Sequence, residues 1–509
     1  MSIQATVQYL NKEITLPEKF KDHTNHGILT LTTPEQDNKE PQTNAYHMIF
    51  TLDRSGSMDG VTPSDSTSKI QQVKVTCRNI IHWMNEDSNN YSVSIILFDY
   101  ETTILIEHEP VTKENLDSII LKIESIRTRG TTNIEKAIIE SHTLIETYNN
   151  PDIENIHIFM TDGIPTEGET IRQQLAKLIL DYKLKHVGTE HFIGFGEDHD
   201  SYLLESFAKI YDDNYHFIDS YENGGMVYGE ILYNMIYKFC DNLTLTCNNF
   251  KIYNYKTNTW ENSYTIHSLS YNTTKTFYIL KEHETDYTLG INYNSVITYE
   301  DAKSEEETYV INHLWRFTVL KVLYLMKEEN NTQMVKQTLR ELKDYMTTTN
   351  QEQKEFLKVL CDDLYITKKV QDTIYKRIYL HGRHTSQGEQ RGYTVKNIDH
   401  ILGEWEELED PHQFSQDSAT PFASVEKRSI SRTISGYSDE IKRARLNNNP
   451  RSTSLNLPGA SLQSPPHKLV IPGMTRQPTQ SSYSLSPPIR RPRPTIKIPE
   501  IPDFSNMHA

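Results

Sequence analysis

The stretch Met48-Ile49-Phe50-Thr51-Leu52-Asp53-Arg54-Ser55-Gly56-Ser57-Met58 begins as an apolar run and ends on a carboxylate and two hydroxyls. A run this short and apolar, without polar alternation, fits a strand buried on both faces. Asp53, Ser55 and Ser57 stand at i, i+2 and i+4 just past it. In an open parallel sheet the carboxyl ends of the strands are where ligands bind. Gly56 is expected to let the backbone turn tightly, so that the three oxygens converge instead of alternating across two faces. Hard oxygen donors of this kind suit Mg²⁺, with Mn²⁺ or Ca²⁺ as alternatives. The same residue types also serve as helix N-caps and Asx turns, the reading that competes with a metal site.

Outward from this run, short apolar segments alternate with amphipathic ones of helix length. Strands are predicted at Met48–Leu52, Val93–Phe98, Thr103–Ile106, Ile156–Met160, Phe192–Phe195 and Tyr215–Ile218. Helices are predicted at Lys69–Asn85, Lys113–Ile126, Ile134–Tyr148, Thr170–Lys185 and Tyr202–Ile210. This alternation argues an α/β fold with a parallel sheet covered on both faces. Two later loops repeat the oxygen theme. Gly130-Thr131-Thr132-Asn133 precedes a helix, and Ile158-Phe159-Met160-Thr161-Asp162-Gly163 is a second apolar strand that ends in an acid. Asp99 also follows a strand, and is read as a solvated loop acid rather than as support for the site.

With these three loops in this order, the segment from 44 to 240 resembles a von Willebrand factor A domain with an intact metal-ion-dependent adhesion site. The resemblance implies a doubly wound, mostly parallel, Rossmann-like sheet with one antiparallel edge strand. It implies metal-site roles for Asp53, Ser55, Ser57, Thr132 and Asp162. Thr132 is preferred to Thr131 because the family threonine lies six residues before the apolar helix position held here by Ile138. Two carboxylates only partly neutralise a divalent cation, which then stays open to an outside oxygen. The implied partner is a protein that supplies an Asp or Glu carboxylate, and some family members shift their last helix on binding.

The flanks divide differently. Residues 1–43 contain alternating Ile3, Ala5, Val7 and Tyr9 and a second strand candidate at Ile28–Leu31, expected to pack with a later β module. Residues 241–305 turn to period two, as in Leu243/Leu245/Cys247 and Tyr287/Leu289/Ile291, which reads as antiparallel β. Residues 306–411 are helical, with Trp315, Val319, Val322, Leu323 and Met326 on one face and Val335, Leu339, Leu342 and Met346 on another. This arrangement resembles the core of inter-alpha-trypsin inhibitor heavy chains and intracellular relatives from plants, protists and large DNA viruses. The RING cysteines of some such relatives are absent here, and abundant Asn, Ile, Lys and Tyr suggest a protist or viral source.

The 509 residues carry a net charge of −17 and only 36 % hydrophobic residues. From Glu426 onward there are 13 Lys and Arg against 5 Asp and Glu, so a tail of +8 follows a body of −25. Twelve of the 21 prolines lie beyond residue 440, and 412–509 is expected to be disordered. Such a tail could fold back on the acidic body or bind an acidic partner, and phosphorylation would weaken either contact. Lys427-Arg428-Ser429 and Arg432-Thr433-Ile434-Ser435 resemble basophilic kinase sites; Ser464-Pro465 and Ser486-Pro487 resemble proline-directed ones. The strip Pro487 to Pro494 could dock in an SH3-type groove, and only the tail offers nucleic acid even a weak hold.

Four scattered cysteines argue against a disulfide scaffold or zinc finger, and the histidines show no ligand spacing. P-loop, zincin and hydrolase-elbow motifs are absent, so a non-enzymatic role is expected. Met1 to Leu10 lacks the features of a secretory signal and no run is apolar enough to span a bilayer, which points to a cytoplasmic protein without membrane contact, or a virion component if viral. The leading expectation is a metal-dependent protein-interaction module. The alternatives are an accessory subunit of an AAA or ubiquitin-pathway complex, or a structural component of a virion.

Overall fold

Strand β3 (Ala45–Asp53) is buried from Tyr46 to Asp53, as an unalternating apolar run requires when both faces of a sheet are covered. It follows β1 (Gln4–Tyr9) and β2 (His26–Thr32), which belong to another sheet. After it come α1 (Lys69–Glu86), β4 (Asn90–Phe98), β5 (Thr102–Pro110), α2 (Leu116–Glu124), α3 (Ile134–Thr147) and β6 (Glu154–Thr161). Then follow α4 (Arg172–Lys183), β7 (Thr189–Phe195), α5 (Ser201–Ile210), β8 (Tyr215–Ile218) and α6 (Tyr221–Ile236). The sheet order is β5-β4-β3-β6-β7-β8, parallel throughout except for β5, which runs antiparallel to β4. This computed structural model describes residues 3–9, 17–23, 25–36, 44–61, 67–184, 188–196, 198–211, 214–218, 221–282, 288–292, 298–301, 307–329, 331–349, 351–369, 373–393, 420 and 422–435.

Alternate residues of β3 serve opposite layers. Met48, Phe50 and Leu52 pack with Ile80 of α1, Ile119 of α2 and Ile231 of α6. Ile49 meets Leu144 and Ile145 of α3 on the other face. Farther along that face, Phe159 and Phe192 pack with residues of α3, α4 and α5. Helix α6 has no counterpart among the helices that the sequence pattern predicts. Gly224, Gly225 and Gly229 lower its propensity, and packing of Val227, Ile231 and Met235 at four-residue spacing overrides that cost.

The chain then builds β9 (Lys238–Asn248), β10 (Phe250–Asn254), β11 (Thr259–Glu261), β12 (Ser263–Ser270), β13 (Thr274–Lys281), β14 (Thr288–Asn292) and β15 (Thr298–Asp301). Two sheets result, ordered β11-β10-β13-β2-β1-β15 and β12-β9-β14. Strand β2 lies antiparallel to both β13 and β1, with Leu29 opposite Phe277 and Val7. Leu29, Leu31 and Ile279 of one sheet share an apolar core with Leu243 and Leu245 of the other, a packed pair of sheets. Helices α7 (Glu307–Glu329), α8 (Thr332–Thr348), α9 (Gln351–Lys369) and α10 (Thr373–Glu389) enclose a further core around Trp315, Leu323, Leu342 and Leu364. Phe20, near the N-terminus, sets its ring edge-on to Trp315 at 5.0 Å between centroids.

Residues 425–435 form one more helix, α11, inside the segment that composition assigned to a disordered tail. Composition averaged over 98 residues hides Ile430 and Ile434, four apart, which join the core at α6. All described residues belong to one unit, Met1–Asn449; a second, Pro450–Ala509, lies outside them. Outside them too fall Tyr287, the Ser-Pro sites at 464 and 486 and the strip 487–494. The four cysteines are buried and unpaired with one another. Among the described residues no helix is long and apolar enough to cross a membrane.

Several histidines are core residues with hydrogen-bond partners. His47 bonds Asn155 Oδ1 at 3.0 Å and Ser94 Oγ at 2.8 Å. Burial lowers its pKa to about 4, that of His191 to about 3 and that of His199 to about 4. A histidine that resists protonation only when folded stabilises above its unfolded pKa near 6.5, and that stability is lost as pH falls toward the folded value. A thermal melt series should therefore decline between pH 6.5 and 5.5, by about 1 kcal/mol for each such histidine. A flat profile across that window would contradict the neutral, buried assignment.

Candidate metal site

The C-terminal ends of β3 and β6 are adjacent, because these strands pair in parallel with Leu52 opposite Met160. Asp53 and Asp162 thus leave neighbouring strands side by side, both wholly buried. Asp53 Oδ1 accepts the Ser55 N–H at 2.7 Å, an Asx turn that folds the loop back, and Oδ2 accepts the Thr161 hydroxyl at 2.6 Å. Ser55 Oγ lies 3.0 Å from Ser57 Oγ, and Ser57 Oγ donates to Asp162 Oδ1 at 2.7 Å. The three carboxyl and hydroxyl groups of the first motif and the acid of the last therefore form one connected cluster of oxygens.

Thr132 arrives from the loop before α3. A Cβ placed on Gly163 would sit 3.3 Å from Thr132 Oγ1 and 3.7 Å from Ser57 Oγ, so both hydroxyls flank that glycine. Thr132 is buried, whereas Thr131 is exposed and donates to Glu167 at 2.6 Å. The backbone fixes these loops to one another: Gly56 N–H donates to Gly130 O at 3.0 Å, and Thr166 N–H to Thr132 O at 2.9 Å. The conformational demand expected at Gly56 falls instead on Gly130. Gly130 has φ +69°, and a Cβ there would meet the Tyr100 ring at 2.4 Å.

Asp99 is not the solvated acid that its loop position suggested. It is fully buried, accepting from Arg54 Nε at 2.7 Å and Arg129 Nε at 2.8 Å. Its carbonyl also accepts the Asn133 N–H at 2.8 Å. Both guanidinium groups, from the first-motif loop and the threonine loop, thus converge on one carboxylate, which aligns those loops. They and the Glu101 N–H hold the Asp99 pKa below the usual carboxylate range despite the opposing effect of burial.

A residue with no place in the motif completes the charge pattern. Lys69, the first residue of α1, sends Nζ to Asp162 Oδ2 at 2.7 Å, with Asp198 Oδ2 at 3.7 Å. The lysine is buried, so its ammonium faces the cluster rather than solvent. A signal for it existed: a cation in the first turn opposes the helix dipole, and is tolerated where a nearby anion compensates. Burial and the neighbouring Asp162 charge push Asp53 up to about 7, the strain of holding two carboxylates together.

The donor set is all oxygen, two carboxylates with hydroxyls, which suits a hard divalent cation better than a soft one. Among the described residues no group of three or more His, Cys, Asp or Glu is placed to hold a metal, so any cation here depends on the hydroxyls.

The family comparison coincides with these loops: residues 47–227 match the von Willebrand factor type A domain. This segment is a von Willebrand factor type A domain. The chain is 27 % identical over 188 residues to inter-alpha-trypsin inhibitor heavy chain H4 of Bos taurus, covering 33 % of this chain and 19 % of that protein. It is 28 % identical over 190 residues to inter alpha-trypsin inhibitor, heavy chain 4, of Mus musculus, covering 33 % and 18 %. The chain thus spans about a fifth of the length of these curated relatives. Among solved structures, von Willebrand factor type A from Catenulispora acidiphila superposes with a TM-score of 0.42 at 13 % identity, over 75 % of this chain and 89 % of that one. Von Willebrand factor type A domains are generally non-enzymatic protein-interaction modules.

Proposed function

We propose that the A domain binds a divalent cation, Mg²⁺ foremost, through Asp53, Ser55, Ser57, Thr132 and Asp162, and through it a carboxylate of a partner protein. The observation that carries this reading is the oxygen cluster at the ends of β3 and β6, joined from Asp53 to Asp162 by contacts of 2.6–3.0 Å. Bound there, the cation would supply an electrophilic position that an incoming Asp or Glu oxygen can occupy. The protein's own part is to hold hydroxyl donors that add no charge, so the cation stays under-neutralised. Asp99, through Arg54 and Arg129, keeps two of the three loops in register.

Mn²⁺ is a convenient probe. Titrated into the metal-free full chain and followed by electron paramagnetic resonance, it should report one site that Mg²⁺ displaces. Asp53→Ala should remove that site while circular dichroism is preserved, and added glutarate should tighten Mn²⁺ binding to the unaltered chain. Retention of the site in Asp53→Ala would overturn the assignment; no response to glutarate would remove the carboxylate partner.

A further inference from the structure

The helix α11 lies against α6 closely enough that side chains are nearly excluded. On α6, Gly225 and Gly229 stand one turn apart; on α11, Ser435 and Ser431 face them at the same spacing. A Cβ on Gly229 would fall 2.2 Å from Ser431 Oγ and 2.8 Å from its Cα, and one on Gly225 would fall 2.0 Å from Ser435 Oγ. The two helices therefore approach almost backbone to backbone. Around this seam Lys427 Nζ donates to Glu230 Oε1 at 2.6 Å, each side chain 8 % exposed. From α1, Asn79 Nδ2 donates to the Ile434 carbonyl at 2.7 Å. One short helix thus holds both α6 and α1.

Both serines at the seam carry an arginine three residues before them: Arg428 for Ser431 and Arg432 for Ser435. Ser431 is only 2 % exposed, so no kinase reaches it while the helix is docked. Local opening of this eleven-residue helix exposes it, since a segment of that size can open without global unfolding. Phosphorylation then breaks the γ-phosphoryl bond of ATP and forms a phosphoester at Ser Oγ, with ADP leaving and the hydroxyl proton passing to the kinase base. The product carries about −2 charge and three added oxygens. It would have to return to a place where a single carbon does not fit, one residue along α6 from the Glu230 carboxylate.

The geometry points to Ser431 and Ser435 as phosphorylation sites for an arginine-directed kinase, whose modification keeps residues 425–435 off α6 and α1. Docking and phosphorylation then exclude one another, and modification uncovers the α6 face at Gly225 and Gly229 and withdraws Ile430 and Ile434 from the core.

The test uses the full chain, an arginine-directed serine kinase and ATP, with phosphate located by mass spectrometry and opening followed by hydrogen exchange. Phosphate is expected at Ser431 and Ser435, with at least tenfold faster exchange in peptides from 425–435 and 221–236. The Ser431→Ala/Ser435→Ala chain treated alike should keep its protection. Gly229→Val should loosen the helix without phosphate and speed phosphorylation several-fold. Lys427→Glu should do the same from the tail side, where damage to α6 itself is avoided. Phosphate incorporated without loss of protection would overturn the proposal, as would failure of either serine to be modified even in Lys427→Glu.

Discussion

Asp162→Ala is expected to weaken divalent-cation binding by at least a hundredfold and to destabilise the A domain, while Lys69→Met is expected to strengthen metal binding. The first variant removes one of two carboxylates from the oxygen cluster. It also leaves the Lys69 ammonium buried with only Asp198, at 3.7 Å and exposed, as an anionic neighbour. Breaking a buried pair by removing one partner costs about 3 kcal/mol or more, because the other charge stays desolvated. The second variant works in the opposite sense on the metal. An ammonium in contact with Asp162 offsets half the formal charge of the Asp53–Asp162 pair before any cation arrives. Unit charges about 4 Å apart interact by about 4 kcal/mol at an effective dielectric of 20, and nearby water reduces this. A gain of about 10–100-fold in Mn²⁺ affinity for Lys69→Met follows. That variant also leaves two buried carboxylates without their counter-ion, so its metal-free melting point should fall and added metal should raise it more than in the parent. Equal or weaker Mn²⁺ binding in Lys69→Met would show that the lysine serves the metal rather than competing with it.

The parts of this molecule that were legible in its sequence are those with a strong local period. Each predicted strand of the parallel sheet lies inside an observed one, because a strand covered on both faces has to be apolar at every position. The five predicted helices differ from the observed ones by three residues at most at either end, since each carries an apolar stripe. The rest depends on contacts across the chain. Three glycines hide α6, although two of them exist to let α11 approach. Ile430 and Ile434 are too sparse to register against a basic, proline-rich background. Lys69 and Asp99 look like ordinary polar residues until the strand order places them beside Asp162 and between Arg54 and Arg129. Motif spacing identifies residues that share a loop; charges that meet from separate loops become visible only in three dimensions.

The largest expected stability effect lies far from the oxygen cluster. Helix α10 joins the helical region to the A domain: Ile378 and Tyr379 pack with Leu203 and Phe217, and Arg377 lies over the Tyr202 ring at 3.7 Å. On its other side, α10 is fastened to α9 by Arg383, whose Nη1 pairs with Asp363 Oδ1, both side chains essentially inaccessible. Gln387 Nε2 also donates to this carboxylate, at 2.9 Å from Oδ2. Arg383→Met would leave the Asp363 charge buried without its guanidinium partner. The expected cost is about 3–5 kcal/mol, or a fall of about 10 °C in the thermal midpoint of the full chain. Arg383→Met combined with Asp363→Leu should recover most of that loss, since an apolar pair of similar volume removes the desolvated charge altogether. A double variant no more stable than the single one would mean that the arginine acts through its packing and its other contacts rather than through Asp363. If α10 carries the coupling described, hydrogen exchange in α5 of the A domain should accelerate in the single variant and return in the double, because Leu203 and Phe207 share the core that Ile378 and Tyr379 fill.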